Sequence, residues 1–150
     1  MNGLNQARVL AFAIPAALLG GAYIAQYGFG LYPCEMCWWQ RYPHFAALAL
    51  ALASWFVVPH RVWATLAGLA IITSGLIGGF HAGVEYHWWE GVTNCSTTPG
   101  AGSAFDFSNV AVVRCDAAAW ELFGISLAGY NFLISTIGGI AVVALAAFRK

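Results

Sequence analysis

The chain has 150 residues, of which 61% are hydrophobic and only 8% are charged. A soluble domain carries roughly a quarter charged residues, so this composition argues against an ordinary soluble protein and predicts a membrane protein. The formal net charge is zero and no tract of Lys or Arg occurs. Nucleic-acid binding depends on clustered cations, so we expect no nucleic-acid partner. The length predicts one domain, covering 1–150.

Four apolar runs follow one another along the chain. They lie at about 9–27, 42–58, 62–84 and 124–148. The first has no charge over 19 residues, close to the roughly 20 residues that cross a bilayer as a helix. It is longer than the apolar region of a typical signal peptide and contains Tyr and Gln, which disfavours cleavage. We predict an all-α fold, an integral membrane four-helix bundle in a lipid bilayer.

The ends of two predicted helices are less obvious than the apolar runs. The second run is short, so we expect its helix to begin further back, near Cys37. The third helix is expected to continue to about Trp89. It carries Gly75, Gly79 and Gly83 at four-residue intervals, a stripe of small residues on which another helix could pack closely.

The placement of the charges predicts the orientation. Four spans put both termini and the 59–61 turn on one side, which carries four basic residues and no acid: Arg8, Arg61, Arg149 and Lys150. The other side has the loops at about 28–41 and 85–123, with two basic residues and all six acids. The positive-inside rule places the more basic side in the cytoplasm. We therefore predict a multi-pass membrane protein with both termini cytoplasmic.

All four cysteines then lie in the two extracytoplasmic loops. Cys34 and Cys37 are in the first loop, and Cys95 and Cys115 are in the second. An oxidising compartment permits disulfides there, and four cysteines allow three pairings. The spacing of the first pair favours a redox motif; a structural disulfide and a zinc half-site remain alternatives. Trp38 directly after the second cysteine excludes the c-type haem signature.

Cys37 has two features that lower a thiol pKa and favour the attacking thiolate. It lies near the start of the second helix, and Arg41 follows one turn later; helix N-termini and nearby cations both stabilise a thiolate. We expect Cys34 to lie nearer the solvent and to exchange with other thiols.

A second set of polar residues is expected at the outer end of the bundle. His81 and Glu85 are four residues apart on the third helix, and Arg41 and His44 belong to the second. Ionisable residues at membrane depth are candidates for function, although a simple hydrogen-bonded pair is the alternative for His81 and Glu85. Together these residues could form a pocket with a polar end for a lipid-soluble carrier.

The chain resembles the DsbB/DsbI family of membrane disulfide-forming oxidoreductases. Four stretches carry the resemblance: Cys34-Glu35-Met36-Cys37-Trp38-Trp39-Gln40-Arg41, then Phe80-His81-Ala82-Gly83-Val84-Glu85 to Trp88-Trp89, then Asn94-Cys95-Ser96, and finally Cys115-Asp116 with Trp120-Glu121-Leu122-Phe123-Gly124-Ile125-Ser126 to Asn131. Each motif alone is weak, but the ordered set is specific and covers nearly the whole chain.

The resemblance implies a thiol:quinone oxidoreductase of the bacterial inner membrane. It would reoxidise a periplasmic thioredoxin-fold dithiol oxidase, DsbA-like, and reduce ubiquinone or menaquinone of the membrane quinone pool. By the family pattern, Cys95 would form the mixed disulfide with that partner, and the freed Cys115 would attack Cys34. Cys37 would be released as a thiolate that can form a charge-transfer adduct with the quinone. No residue is assigned to a metal.

The resemblance also implies cofactor contacts. Arg41 would favour the thiolate and contact the quinone, and His81 would lie near its head group, with Glu85 and His44 as further candidates. Some family members carry Glu where this chain has Gln40; without that charge, we expect Arg41 to act more strongly on Cys37.

Two alternatives belong to other classes of protein. One is a haem- or metal-binding four-span membrane protein that uses His44, His81 and the cysteines. The other is a structural subunit whose outer loops are joined by disulfides. Vitamin K epoxide reductase-like proteins share the chemistry, but their quinone-side cysteine pair follows the loop cysteines, whereas here it precedes them.

Overall fold

The computed structural model of the chain describes residues 2–93 and 113–147. These residues form four helices and one small antiparallel sheet: α1 Gly3–Gly28, α2 Glu35–Phe56, α3 His60–Glu85, β1 Glu121–Leu122, β2 Ile125–Ser126 and α4 Leu127–Ala147. The sequence-based prediction of a mostly helical protein is confirmed.

Three of the helices in the described ranges are long and apolar enough to cross a membrane, namely α1, α3 and α4. At 26 residues, α1 is about 39 Å long, which exceeds the roughly 30 Å of a hydrocarbon core. The helix α2 has 22 residues but is less apolar, because its first turns carry Glu35, Gln40, Arg41 and His44. The polar side chains of α2 are therefore concentrated in its first turns, next to Cys34 and Cys37.

The start of α2 is determined by Cys34. Its sulfur accepts a hydrogen bond from the backbone N–H of Cys37 at 3.2 Å, which satisfies one of the free donors at a helix N-terminus. The helix then begins at Glu35, close to the predicted start near Cys37. The first cysteine of the pair is thus the N-cap, and the second lies in the first turn.

The helix α3 ends at Glu85 and does not continue to about Trp89. Tyr86 is the C-cap, and His87 follows with a φ of 58°, in the left-handed region that ends helices. The chain then turns back, so that the Trp89 indole donates to the Phe80 carbonyl at 3.0 Å. A Cβ at Gly83 would overlap that indole ring, so the glycine makes room for the turn.

The glycine stripe of α3 packs against α4, as the spacing predicted, at two of its three positions. A Cβ at Gly75 would lie 2.9 Å from the Thr136 backbone nitrogen, and one at Gly79 would lie 2.8 Å from the Phe132 ring. Backbones can approach this closely only where side chains are absent. The third glycine, Gly83, contacts Trp89 rather than another helix. The missing side chains at Gly75 and Gly79 thus allow α3 and α4 to pack closely.

The two-stranded hairpin is joined to both of these helices. Its turn contains Phe123 and Gly124, with φ values of 52° and 76°. The Tyr86 hydroxyl donates to the Gly124 carbonyl at 3.1 Å and accepts from the Ser126 N–H at 2.9 Å. The end of α3 and the start of α4 are thereby tied together.

Both described chain ends and the α2–α3 turn lie at one end of the bundle, which we call the terminal end. The Arg61 guanidinium donates to the Ala146 carbonyl at 2.6 Å, and Gly3 lies against the Leu145 carbonyl. Cys34, Cys37 and Cys115 lie at the opposite end, which we call the cysteine end.

Candidate functional site

Cys34 and Cys37 form a closely spaced pair at the start of α2. Both are free thiols, and their sulfur atoms are 2.8 Å apart. A disulfide bond needs a separation of about 2.0 Å, so a small movement would join them. The pair can therefore alternate between a dithiol and a disulfide with little change in the backbone.

The two sulfurs differ in their tendency to lose a proton. The Cys34 thiol donates to the Cys37 sulfur, and this hydrogen bond, together with burial, raises the pKa of Cys34. The same hydrogen bond lowers the pKa of Cys37, with a smaller contribution from the charge of Arg41. Cys37 precedes the predicted span 42–58. Its sulfur is therefore the better thiolate of the pair, as the sequence predicted, although the main cause is Cys34 rather than Arg41.

The expectation that Cys34 lies nearer the solvent is wrong. Cys34 is 5% exposed, whereas Cys37 is half-buried. Cys34 is covered because it packs in one cluster with Met36, Val84 and Cys115, against which Val113 also packs.

Cys115 is fully buried in that same cluster and is disulfide-bonded. Since Cys34 and Cys37 are free, neither is its partner. Cys95 lies outside the described residues. The structure thus brings three of the four predicted catalytic cysteines to one end of the bundle.

A cavity of about 220 Å³ opens beside the cysteine pair. It is enclosed by all four helices, and α1 contributes an apolar wall from Ala17 to Ala25. Its polar lining includes Cys37 and all four residues that the sequence analysis assigned to a cofactor: Arg41, His44, His81 and Glu85. Cys34 does not line it. Cys37 therefore has contacts on two sides, because it lines the cavity and also packs against the cluster that contains Cys34 and Cys115.

Arg41 is 6% exposed and is held against α1. Its guanidinium donates to Gln26 Oε1 at 2.7 Å and to the Ala22 carbonyl at 3.4 Å. The Tyr23 and Trp38 ring centroids lie 4.9 and 4.8 Å away, distances typical of cation–π contacts. Arg41 thus presents a fixed positive charge at the edge of the cavity.

His81 lies between the cysteine pair and the cavity. Its Nε2 is 3.5 Å from Cys34 Sγ and 3.6 Å from Glu85 Oε1. The side chains of His81 and Glu85 are 2% and 7% exposed. His81 is thus the one cofactor candidate that also contacts the dithiol.

Two buried polar atoms that line the cavity have no hydrogen-bond partner within the described ranges. They are His44 Nδ1 and Glu85 Oε2, although Ser126 lies near Glu85. Buried polar atoms are nearly always satisfied. The cavity therefore offers unused polar atoms to a bound molecule.

Sequence analysis missed a hydrogen-bonded group at the centre of the bundle, formed by Gln40 and Asn131. Asn131 Nδ2 donates to Gln40 Oε1 at 2.8 Å, and Gln40 Nε2 lies 2.8 Å from His81 Nδ1. Asn131 Oδ1 lies 3.0 Å from His44 Nε2. The group thus connects His44 with His81 across α4 and α2. The polarity of both residues within apolar helices was the signal that could have identified them.

The chain is similar to known proteins of one family. The model of the family described as Disulfide bond formation protein DsbB matches residues 5–146. A protein named Disulfide bond formation protein B from Verminephrobacter eiseniae is 30% identical over 151 residues, covering 93% of this chain and 83% of the relative. One of the same name from Hahella chejuensis is 29% identical over 155 residues, covering 94% of this chain and 92% of the relative.

No solved structure gives a significant match. The family match nevertheless extends over nearly the whole chain, from the start of α1 to the end of α4, and so includes the cysteine pair and every residue of the cavity. The chain therefore belongs to the family of disulfide bond formation protein DsbB.

Proposed function

We propose that this protein oxidises a periplasmic dithiol protein and passes the electrons through two cysteine pairs to a membrane quinone. Membership of the family makes it a membrane disulfide-forming oxidoreductase and does not favour the haem- or metal-binding alternative. The observation that carries the finer proposal is the division at the first pair. Cys34 is buried in one cluster with Cys115, whereas Cys37 packs against the edge of that cluster and, unlike Cys34, also lines the cavity.

The first exchanges would take place at the cysteine end. A thiolate of the partner attacks Cys95 of a Cys95–Cys115 disulfide, which forms a mixed disulfide and releases Cys115. Cys115 then attacks Cys34, which breaks the Cys34–Cys37 bond and releases Cys37 as a thiolate. Each step exchanges one disulfide for another through thiolate attack. The packing of Cys115 in the Cys34 cluster supports this order.

The second half of the cycle restores both pairs. The second partner cysteine resolves the mixed disulfide, and the freed Cys95 thiolate attacks the Cys34–Cys115 bond, which releases Cys34. Two electrons now reside on the Cys34 and Cys37 thiols. They leave for the acceptor as the Cys34–Cys37 disulfide reforms, and two protons leave with them. The net reaction oxidises one partner dithiol to a disulfide.

The cavity suits the ring of a quinone. Its volume of about 220 Å³ is below the roughly 300–1,000 Å³ of pockets for whole drug-sized ligands, so it suits a head group with an apolar tail outside. When bound, a quinone would accept two electrons and two protons. Arg41 would attract a carbonyl oxygen, and the unpaired His44 Nδ1 and Glu85 Oε2 would supply polar contacts.

The orientation of the molecule is part of the proposal. We place the cysteine end at the periplasmic face and the terminal end in the cytoplasm, with four spans in a single membrane domain. The grouping of both termini with Arg61 at one end supports this arrangement, because basic residues favour the cytoplasmic side.

The proposal is tested with the purified protein in detergent, a reduced thioredoxin-fold dithiol protein and a soluble quinone. We expect one molecule of quinone to be reduced for each partner dithiol that is oxidised, as measured by quinone absorbance and by the number of free thiols. Oxidation of the partner without any quinone consumption under anaerobic conditions would refute the proposed acceptor.

Replacement of Arg41 with alanine is expected to raise the KM for quinone by roughly tenfold, since a charge-assisted contact contributes about 1.5–3 kcal/mol. The dependence of the rate on partner concentration should change little. The matched control is Arg114→Ala, because Arg114 is exposed and pairs with Asp116 away from the cavity. An unchanged KM in Arg41→Ala would remove Arg41 from the quinone site.

A further inference from the structure

The orientation of two buried amides is determined by backbone carbonyls. Gln40 Nε2 donates to the Met36 carbonyl at 3.2 Å, and Asn131 Nδ2 donates to the Ser74 carbonyl at 3.1 Å. A carbonyl oxygen can only accept, so the nitrogen of each amide must face it. Asn131 Nδ2 then also donates to Gln40 Oε1, so that flipping either amide alone would place two donors or two acceptors opposite each other.

This orientation determines which nitrogen of His81 carries the proton. Gln40 Nε2 has no lone pair to offer and lies 2.8 Å from His81 Nδ1, so Nδ1 must accept. In a neutral imidazole the proton is then on Nε2. That N–H is directed toward Cys34 Sγ and Glu85 Oε1. His81 is thus a hydrogen-bond donor to the dithiol.

The two cysteines of the pair and His81 together have the spacing of a metal site. Cys34 Sγ, Cys37 Sγ and His81 Nε2 all lie within 4.8 Å of one another. Tetrahedral zinc with its usual bond lengths places sulfur and nitrogen ligands about 3.5 Å apart and two sulfurs about 3.8 Å apart. The observed Cys34–His81 distance is 3.5 Å, and the sulfurs would have to separate from 2.8 Å. Glu85 Oε1 is close to His81 Nε2 as a fourth ligand.

Zinc binding at this place would be harmful to the redox cycle. The metal would replace the two thiol protons, and the dithiolate could not reform its disulfide while bound. His81 could bind zinc through Nε2 only if Nε2 carried no proton, because a zinc-bound imidazole must be unprotonated at the ligating nitrogen. With Gln40 as its neighbour, Nε2 keeps its proton.

We propose that Gln40 is a positioning residue that holds the proton of His81 on Nε2, so that His81 donates to the cysteine pair instead of joining it as a metal ligand. The inference concerns the site of the proposed function but rests on side-chain geometry alone. Its test needs no electron transfer, so its failure would leave the proposed function standing.

The first test observes the proton directly. In the reduced protein labelled with ¹⁵N-histidine, we expect the His81 signals of a ring protonated on Nε2 and unprotonated on Nδ1. In Gln40→Glu, one carboxylate oxygen still accepts a hydrogen bond from Asn131, and the other faces His81 Nδ1 and can accept a hydrogen bond from a protonated Nδ1. The proton should therefore appear on Nδ1. A wild-type His81 protonated on Nδ1, or an unchanged pattern in Gln40→Glu, would overturn the proposal.

The second test measures zinc affinity of the reduced proteins by competition with a chromophoric chelator. Carboxylate–histidine–zinc arrangements change affinity by roughly 10–100-fold, so Gln40→Glu should bind at least tenfold more tightly than wild type. The gain should disappear in Gln40→Glu combined with His81→Ala. Wild-type affinity should equal that of His81→Ala, since His81 does not ligate when Gln40 is present.

The matched control is Gln6→Glu, which adds the same charge at an exposed position near the terminal end. It should leave zinc affinity unchanged. If Gln40→Glu gains no affinity, or if the gain survives removal of His81, then Gln40 does not control the ligating state of His81. If a variant does not fold, the ¹⁵N measurement on the wild type still tests whether the proton of His81 is on Nε2.

Discussion

Replacement of Cys37 with serine is expected to abolish quinone reduction, by a factor of roughly 10³ or more, because a covalent nucleophile cannot be replaced by its neighbours. Cys37 is the only cysteine among the described residues that lines the cavity. Without Cys37 the first pair cannot form a disulfide. Cys115 then has no disulfide at Cys34 to attack, and no electrons pass to the first pair. Quinone absorbance, recorded in the presence of excess reduced partner, provides the measurement.

The same variant also tests the order in which the two cysteine pairs receive electrons from the partner. If a separate loop disulfide involving Cys115 receives the electrons first, then Cys37→Ser should still oxidise a single equivalent of partner dithiol and then stop. Continued quinone reduction would contradict the relay, and the absence of that single turnover would contradict the order of the two pairs. Ala46→Ser is the matched control, because it introduces a serine at an exposed position of the same helix.

The sequence was sufficient to predict the helices because their apolar runs are long and charges mark the ends. It also identified all four cofactor candidates, which the structure places around one cavity: Arg41, His44, His81 and Glu85. The expected grouping of these side chains is observed because polar residues in apolar helices avoid the lipid and face the interior of the bundle, whereas their role as cofactor ligands stays a prediction. Near the ends of neighbouring spans such polar side chains meet one another.

The central amide group was not predictable in the same way. Gln40 and Asn131 are 91 residues apart, and helical periodicity does not say which faces of α2 and α4 meet. Nor does it give the direction of an amide, which here depends on the carbonyls of Met36 and Ser74. Tertiary packing decides both, so the tautomer of His81 could not be inferred from the sequence.

The errors at the cysteine end have a common cause. The burial of Cys34 and the early end of α3 both result from loop segments that fold back over the bundle. Val113 and Cys115 cover Cys34, and Trp89 returns to Phe80. Apolar residues in such segments do not show which part of the bundle they contact, so the sequence did not predict these contacts.

The other large effect is expected from Asn131→Leu, which removes the amide but keeps a similar volume. Asn131 donates to Gln40 Oε1, to the Ser74 carbonyl and to Ser74 Oγ, and its Oδ1 accepts from Ser135 and bonds His44. Leucine would leave several of these buried groups without a partner. An unsatisfied buried group costs about 1–3 kcal/mol, but interhelical bonds in membrane proteins average nearer 0.6 kcal/mol. We therefore expect a loss of about 2–4 kcal/mol in unfolding free energy.

The measurement is unfolding of the purified protein in increasing dodecyl sulfate, followed by circular dichroism. Ile137→Leu on the same helix is the matched control, because that side chain is 68% exposed on the outer surface of the bundle. It should change the unfolding free energy by less than about 0.5 kcal/mol. Equal stability of Asn131→Leu and Ile137→Leu would mean that the amide group does not hold α4 to α2 and α3. Gln40 Nε2 still faces the Met36 carbonyl in this variant, so His81 in Asn131→Leu should keep its proton on Nε2 while the helices are held together less tightly.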